Sequence, residues 1–415
     1  MRSRSAWIAQ DAWWRATGAA ALAVVAVYFA YTASKFHLVN LSSLGGDAFI
    51  VYQKALAIAE SGRYPAQSTL GNFNEIFPYP PPSVLIFAML GRLGPGVFMM
   101  LWEVATFLAL YASVRFSVQY ENERTKGAWP LLVLAAIVLT YNPIEYDLAS
   151  KNDNLIILAI TMSSFALLGR RPAASGVALA LAISLKLYSG LLLPWLLFVN
   201  RRAAASCIVA LVGLWLVAPA LYWGGDGLVQ IYRGWFDQLA IANGRWVYAL
   251  PGTGLGPPLI TLRLAASKIL MADPFAGQVR LLLLAMQLGW LGVLASYIYR
   301  AWWRASAPDA WRAKLADWSV LLLAPLPFSP WLEPYHAVAL IPGFALCILL
   351  LIDETQSRPT RLTAAFACLA AAVVKELPTP FEMRGLVFLA QFVFVTAALS
   401  VARPRLVAQV RVAAP

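Results

Sequence analysis

Long apolar runs, which recur from residue 16 to residue 403, constrain the fold of this chain more than any other feature. The first run, ATGAAALAVVAVYFAYTAS at residues 16–34, approaches the roughly 20 apolar residues that cross a bilayer. Hydrophobic residues make up 60% of the 415 and charged residues only 13%, a balance that argues against a water-soluble domain. Backbone groups in lipid must find partners within their own segment, so such runs fold as helices. The sequence therefore predicts an all-α polytopic membrane protein, with one integral membrane domain over residues 1–415.

The basic residues indicate how the chain is threaded through the membrane. The formal net charge is +12, which in a soluble protein would suggest a nucleic-acid partner. Here the Lys and Arg residues lie in short groups between apolar runs, as topology signals do, so we expect no nucleic acid. Placing every group on the cytoplasmic side gives about 12 crossings, with both termini inside. The predicted crossings are residues 16–34, one net crossing within 81–115, 128–143, 153–169, 173–186, 187–200, 203–222, 278–299, 315–331, 336–352, 361–376 and 385–403.

This threading leaves a long first outer loop at residues 35–80, which we predict to be a catalytic loop with an interfacial helix. Half of the 20 acidic residues fall in the outer segments, which suggests a function on that face. We therefore expect a multi-pass protein of a bacterial inner (plasma) membrane, with the active site on its outer, periplasmic side. Within 81–115, the break Gly91-Arg92-Leu93-Gly94-Pro95-Gly96 predicts a short embedded helix followed by a full one.

The metal-binding residue types are scarce. The chain has 3 cysteines and 2 histidines, and Cys207, Cys347 and Cys368 all lie in apolar runs, where they behave as small hydrophobes. We expect no disulfide, no structural zinc, no other metal site and no cofactor.

Asp47 and Tyr52 open the first outer loop, in GGDAFIVYQKALAIAESGRYP. A carboxylate in this place suits a general base that takes a proton from a hydroxyl. The alternative is a helix N-cap, where Asp is also favoured. The following stretch, 47–60, is amphipathic and suited to lie at the membrane interface. Its apolar side consists of Ala48, Val51, Ala55 and Ile58.

A dense polar stretch, YDLASKNDNLIILAI at 146–160, stands at the outer start of a helix. Its hydrogen-bonding side chains are Lys151, Asn152, Asp153 and Asn154. They either bind sugar hydroxyls or merely cap the helix.

Two charged residues lie inside apolar runs, where ionisable groups are costly and usually functional. Lys186, in LALAISLKLYSGLLLPW, sits at the apex of the short helical pair 173–200. It either binds a phosphate or snorkels to the interface. Glu103, in LWEVATF, has no assigned role beyond a buried structural hydrogen bond.

The turn FSPWLEPYHAVALIP at 328–342 lies between two crossings and carries Glu333, Tyr335 and His336. Pro330 and Pro334 stiffen it. His336 suits proton transfer or phosphate binding. An aromatic-belt turn at the membrane surface is the alternative.

In the order and spacing of these motifs, residues 45–345 resemble glycosyltransferase family 87 of the GT-C superfamily. The shared elements begin with Asp47 and Tyr52 and continue with Gly62, Tyr64-Pro65 and the aromatic-proline run 77–82, which includes Tyr79. The centre, GRRPAASGVALALAISLKLYSGLLLPWLLFVNRR, is similar to the family's lysine-bearing apolar hairpin. Later pieces are ALPGTGLGPPLITLRLA and SPWLEPYHAVALIP. The chain departs from the family at Lys151-Asn152-Asp153-Asn154, where Gly-Gln-x-Asn is common, and at Gly252-Thr253-Gly254.

The resemblance implies an inverting sugar transfer, mannose being the expected sugar, from a polyprenyl-phosphate donor to a lipid-linked or glycolipid acceptor. It makes Asp47 the general base and His336 a second catalytic residue. Nearby cations would stabilise the leaving phosphate. The implied substrate-binding set is Tyr52, Tyr79, Lys151, Asn152, Asp153, Asn154, Lys186, Arg233, Arg245, Glu333 and Tyr335. The expected partners are the donor, the acceptor and membrane lipids.

A polytopic transporter or lipid-glycan flippase is the competing interpretation. Transporters usually carry paired broken helices in two similar halves, and the broken element at 173–200 has no counterpart elsewhere in the sequence. A non-catalytic assembly partner is a third possibility, and it predicts that Asp47 can be replaced without effect.

Overall fold

The computed structural model describes residues 47–65, 77–117, 134–242, 261–300, 311–329, 332–353, 356–376 and 384–413, and these contain helices and no strand. The α-helices are α1 (Asp47–Ser61), α2 (Pro81–Gly91), α3 (Pro95–Ser117), α4 (Tyr141–Ser150), α5 (Asn154–Leu167), α6 (Pro172–Leu185), α7 (Leu192–Val199), α8 (Arg201–Val212), α9 (Ala218–Ala242), α10 (Leu262–Leu270), α11 (Gly277–Ile298), α12 (Trp311–Leu323), α13 (Ile341–Ile352), α14 (Arg358–Glu376) and α15 (Arg384–Ala413). Shorter 3₁₀ helices cover Leu187–Leu191, Leu326–Phe328 and Pro334–Leu340, and a π-helical turn covers Gly213–Val217.

Five helical stretches of the described residues are long and apolar enough to cross a membrane. They are Pro95–Ser117, Arg201–Ala242, Gly277–Ile298, Tyr335–Ile352 and Arg384–Ala402. The predicted count of about 12 is not confirmed. The apolar helices α2, α5 and α6 have 11, 14 and 14 residues, so the longest of them spans only about 21 Å of a core near 30 Å. The predicted first crossing, 16–34, and the start of the first outer loop lie outside the described residues.

Several predicted crossings have other bounds in the structure. The predicted crossing 203–222 is part of a longer helical stretch that reaches Ala242, with a kink at Gly224, whose φ is +77°. Helix α14 occupies the predicted crossing 361–376 but carries charged residues at both ends, and it is not among the candidate spans. A helix does cover much of 128–143, but Thr140 interrupts it and α4 begins at Tyr141.

The breaks that the sequence predicts are confirmed. Helix α2 ends at Gly91 and α3 begins at Pro95, and between them Gly94 adopts a φ of +87° that favours glycine. The short pair predicted at 173–186 and 187–200 corresponds to α6 and to the 3₁₀ turn with α7. Lys186 separates them in an extended conformation, with φ −144° and ψ 129°.

Helix α1 buries the apolar side that the sequence predicts. Ala48, Val51, Ala55 and Ile58 are buried on it, and the helix packs on α2 and α3. This part of the predicted outer loop is thus a packed helix rather than an open connection. That helix α1 takes part in catalysis stays a prediction.

Two apolar clusters meet beside α5. The larger is built from α3, α5, α6, α8, α12, α13 and α15, and Trp195 and Trp318 pack edge to face in it, with ring centroids 5.3 Å apart. The smaller joins α1, α2, the start of α3 and α9. Ile156 and Tyr188 pack against both. The polar residues described below gather where these clusters adjoin.

Helices α6 and α8 approach each other closely at Gly176. A Cβ added at Gly176 would lie 2.1 Å from the Ala203 carbonyl oxygen and 2.7 Å from the Cys207 nitrogen. Because these are backbone atoms, Gly176→Ala is expected to destabilise the protein by about 1–3 kcal/mol, measured as a lower unfolding temperature in detergent. The matched control is Gly289→Ala, where an added Cβ meets no atom within 4 Å and where alanine favours the helix. Equal unfolding temperatures for the two variants would contradict the close packing.

Candidate active site

The turn between α4 and α5 is fixed by hydrogen bonds to its backbone and by an ion pair. Lys151 adopts a left-handed conformation (φ 54°), which is uncommon for a residue with a Cβ. The Asn152 N–H donates to the Asp147 carbonyl at 2.9 Å, and the Trp102 indole donates to the Lys151 carbonyl at 3.0 Å. The Lys151 ammonium pairs with Glu103 at 3.1 Å. Glu103 therefore has a structural role at this turn. It contacts Lys151 through an ion pair, where the sequence predicted only a buried hydrogen bond.

Lys186 points into the protein rather than toward the interface. Its Nζ donates to Asn152 Oδ1 at 3.1 Å and to Asn154 Oδ1 at 3.0 Å. The same nitrogen lies 2.6 Å from Asp153 Oδ1. The rings of Tyr79 and Tyr335 flank it, with centroids 5.8 Å and 5.7 Å away. The extended backbone that ends α6 directs this side chain into the cluster, which argues against the snorkelling alternative.

Asp47 reaches the same cluster from the first residue of α1. Its Oδ2 accepts a hydrogen bond from Asn152 Nδ2 at 2.8 Å. Among the described residues no other hydrogen bond to this carboxylate occurs, and no backbone N–H of α1 donates to it, as an N-cap would require. Burial raises the pKa of the Asp47 carboxyl, and the Asn152 hydrogen bond and the positive charge of Lys186 offset part of that rise. A carboxylate with a raised pKa binds a proton more strongly, which suits a base.

The 3₁₀ helix Pro334–Leu340 brings Glu333, Tyr335 and His336 to the cluster, because it packs against α4 and α5. The Glu333 backbone N–H donates to His336 Nδ1 at 3.1 Å. The same Nδ1 also lies 3.3 Å from the Glu333 carbonyl oxygen, and we assign it as the acceptor of the shorter contact, which puts the proton of the neutral ring on Nε2. The Nε2–H group is then a hydrogen-bond donor.

Asp147, on α4, is the buried acid of this cluster that the sequence did not single out. Its Oδ1 accepts from Asn154 Nδ2 at 3.2 Å and its Oδ2 accepts from the Leu155 N–H at 3.2 Å. Burial raises the pKa of Asp147 to about 7. The sequence did contain a signal for this residue, because Asp147 lies four residues before Lys151 in the same polar stretch. Sequence reasoning counted it only as one of the outer-face acids.

Asp153 is a second buried acid of the cluster. Its side chain is 3% exposed, and Lys186 Nζ lies 2.6 Å from its Oδ1. Burial raises the pKa of Tyr79 well above its usual value, and the negative charge of Asp153 and a hydrogen bond to its carboxylate add to this. A carboxylate has about four acceptor positions, so Asp153 can accept a further hydroxyl group beside Lys186 and Tyr79.

The structure brings together most of the predicted site residues. Those gathered are Asp47, Tyr79, Lys151, Asn152, Asp153, Asn154, Lys186, Glu333, Tyr335 and His336. No group of three or more metal-ligating acids, histidines or cysteines occurs within the described ranges.

Of the predicted residues that the structure describes, two do not join this cluster. Tyr52 stacks between Phe49 and Phe98, because five residues along a helix turn its side chain about 140° away from Asp47. Arg233 lines an apolar groove of about 540 Å³ on α9, and no residue of the cluster lines that groove. Arg245 lies outside the described residues.

The structure thus has a buried ionic cluster among apolar helices, which defines a helical membrane protein with a polar site. The family model of glycosyltransferase family 87 matches residues 77–330. That is more than half of the chain, so this protein belongs to glycosyltransferase family 87. The matched residues include the α4–α5 turn and Lys186, and they leave Asp47 and His336 outside. No curated protein and no solved structure matches the chain.

Membership of this family makes the chain a membrane glycosyltransferase. Its partners include a sugar donor, a sugar acceptor and membrane lipids. The expectation of a transferase is thus confirmed at the level of the family.

Proposed function

We propose that this protein transfers a sugar, mannose being the first candidate, from a polyprenyl-phosphate donor to a lipid-linked or glycolipid acceptor. The reaction inverts the anomeric centre and takes place on the outer face of a bacterial inner membrane. The observation that carries the proposal is the Asp47 carboxylate, which Asn152 holds at 2.8 Å within the buried cluster.

Asp47 acts as the general base in this proposal. The acceptor hydroxyl oxygen attacks the anomeric carbon of the donor sugar while Asp47 removes the hydroxyl proton. The new bond joins the acceptor oxygen to that carbon. The bond between the same carbon and the phosphate oxygen breaks, and its electron pair leaves with the polyprenyl phosphate. A single displacement of this kind inverts the configuration.

Asp153 binds the sugar in this proposal. A sugar hydroxyl that donates to this buried carboxylate would use an acceptor position that Lys186 and Tyr79 leave open. The phenol of Tyr79, beside the same carboxylate, offers the sugar a further polar contact.

The donor phosphate is bound by hydrogen-bond donors and cations around the cluster. His336 offers its Nε2–H, since its Nδ1 accepts from the Glu333 backbone. Lys186 already contacts two amide oxygens and one carboxylate, so a phosphate competes with Asp153 for it. Arg233 and Arg245 remain candidate phosphate ligands.

The test is a transfer assay on purified protein in lipid. Radiolabelled polyprenyl-phosphate sugars are offered one at a time, with mannose, glucose and arabinose as the first three, and a total membrane lipid extract is the acceptor. We expect label from one donor to appear in a new lipid with the wild-type protein and not with Asp47→Asn. The matched nucleotide sugars serve as the control for the donor class.

Two results would contradict the proposal. Transfer from a nucleotide sugar and from none of the polyprenyl-phosphate sugars would replace the donor class while keeping a transferase. Movement of an unmodified lipid-linked sugar across the bilayer, without transfer, would favour the flippase interpretation.

A further inference from the structure

The amide of Asn152 is held in one orientation by three hydrogen-bond donors. Its Oδ1 accepts from the Asp153 N–H at 2.8 Å, from Asn154 Nδ2 at 2.6 Å and from Lys186 Nζ at 3.1 Å. An amide rotated by 180° would point its NH₂ group at these donors. The NH₂ group of Asn152 must therefore face the other way, where it meets Asp47 Oδ2 at 2.8 Å.

Asn154 is itself held by Asp147. Its Nδ2 donates both to Asp147 Oδ1 at 3.2 Å and to Asn152 Oδ1 at 2.6 Å, and its Oδ1 accepts from Lys186 Nζ at 3.0 Å. Asp147 and Asn154 are both fully buried, at 0% exposure. A connected chain of side chains thus runs from Asp147 through Asn154 and Asn152 to Asp47.

We infer that Asn152 is a positioning residue for Asp47, fixing one carboxylate oxygen and leaving the other toward the acceptor hydroxyl, and that Asp147 supports it through Asn154. This deepens the proposed function and rests on it, because it presumes that Asp47 is the base. It also departs from the expectation that Asn152 binds the sugar, since its oxygen and its NH₂ group both have protein partners.

The inference predicts a change in the pH dependence of kcat. A hydrogen bond to the charged form of a carboxyl lowers its pKa, so loss of the Asn152 NH₂ group raises the pKa of Asp47. A base works only when deprotonated, and the acid limb of the kcat profile therefore moves to higher pH. The other groups that face Asp47 stay in place in the variants. They are Lys186, Asp153, Tyr79 and Tyr335.

The decisive variant is Asn152→Ala, which removes the NH₂ group without adding a charge. We expect it to fold, to move the acid limb upward by about one pH unit or more, and to leave KM for the donor within about twofold. Asn152→Asp keeps an oxygen for the three donors but puts a second carboxylate beside Asp47, so it is expected to move the limb further in the same direction. Asp147→Asn, which removes an acceptor from Asn154 or from the Leu155 N–H, is expected to give a smaller shift of the same sign. Asn142→Ala, at an exposed position of α4, is the matched control and keeps the wild-type profile.

The assay uses full-length protein in lipid, with the donor identified above, kcat and KM across pH, and Asp47→Asn in parallel. An unmoved acid limb with a raised KM in Asn152→Ala would overturn the inference and assign Asn152 to sugar binding. An unmoved limb with wild-type kcat and KM would overturn it as well. Full activity of Asp47→Asn would instead remove the base assignment on which the inference rests, so the two failures are distinguishable.

Discussion

Asp47→Asn is expected to abolish transfer, with kcat lower by about 10²–10⁴-fold, while the protein inserts and folds as the wild type does. The magnitude is the usual contribution of a positioned general base. An asparagine occupies the same volume and leaves the packing of α1 intact, because the apolar side of that helix is formed by Ala48, Val51, Ala55 and Ile58. The measurement is the initial rate of label transfer from the active donor at saturating concentration, with the unfolding temperature measured alongside.

Glu60→Gln is the matched control for this experiment. Glu60 lies at the far end of the same helix and is exposed, so its loss of charge is expected to leave kcat unchanged. If Asp47→Asn kept more than a tenth of the wild-type rate, Asp47 would lose the base role.

The wild-type pH profile follows from the same residue. The pKa of Asp47 is raised above its ordinary value of 3.8 by burial. The base is active when deprotonated, so transfer rises as pH increases through that raised pKa and is lost below it. The acid limb of kcat is therefore expected to lie at higher pH than an exposed aspartate would give.

The sequence could predict features that depend on neighbouring residues. The glycines and proline at 91–96 end one helix and start the next, and the structure has that break. The apolar side of α1 follows from helical periodicity. The polar stretch 151–154 and Lys186 were identifiable because charged and amide side chains inside apolar runs are costly.

Features that depend on tertiary contacts could not be predicted in this way. Asp47 and Asn152 are separated by 105 residues, and nothing local indicates that they meet. Tyr52 was associated with Asp47 by spacing along the chain, yet it faces an aromatic stack. Asp147 resembled the other outer acids, and its burial only became visible with the packing of α4 and α5. The count of crossings is not confirmed, because composition alone does not separate short apolar helices inside a bundle from helices that span the membrane.

Lys186→Met is expected to destabilise the protein by about 3–5 kcal/mol, because it leaves the buried Asp153 carboxylate without its counter-charge. Lys186 Nζ lies 2.6 Å from Asp153 Oδ1, and the two side chains are only 17% and 3% exposed. The variant also removes a donor from the carbonyl oxygens of Asn152 and Asn154. The loss is measured as a lower unfolding temperature of the purified protein in detergent.

The double variant Lys186→Met with Asp153→Asn separates the two contributions. It removes both charges, so most of the lost stability is expected to return, because the buried unpaired carboxylate causes most of the loss. Lys268→Met, at an exposed position of α10, is the control and is expected to change the unfolding temperature little. A Lys186→Met protein as stable as wild type, but with weaker donor binding, would contradict this prediction. It would instead indicate that the main role of Lys186 is to bind the donor phosphate, as the sequence suggested.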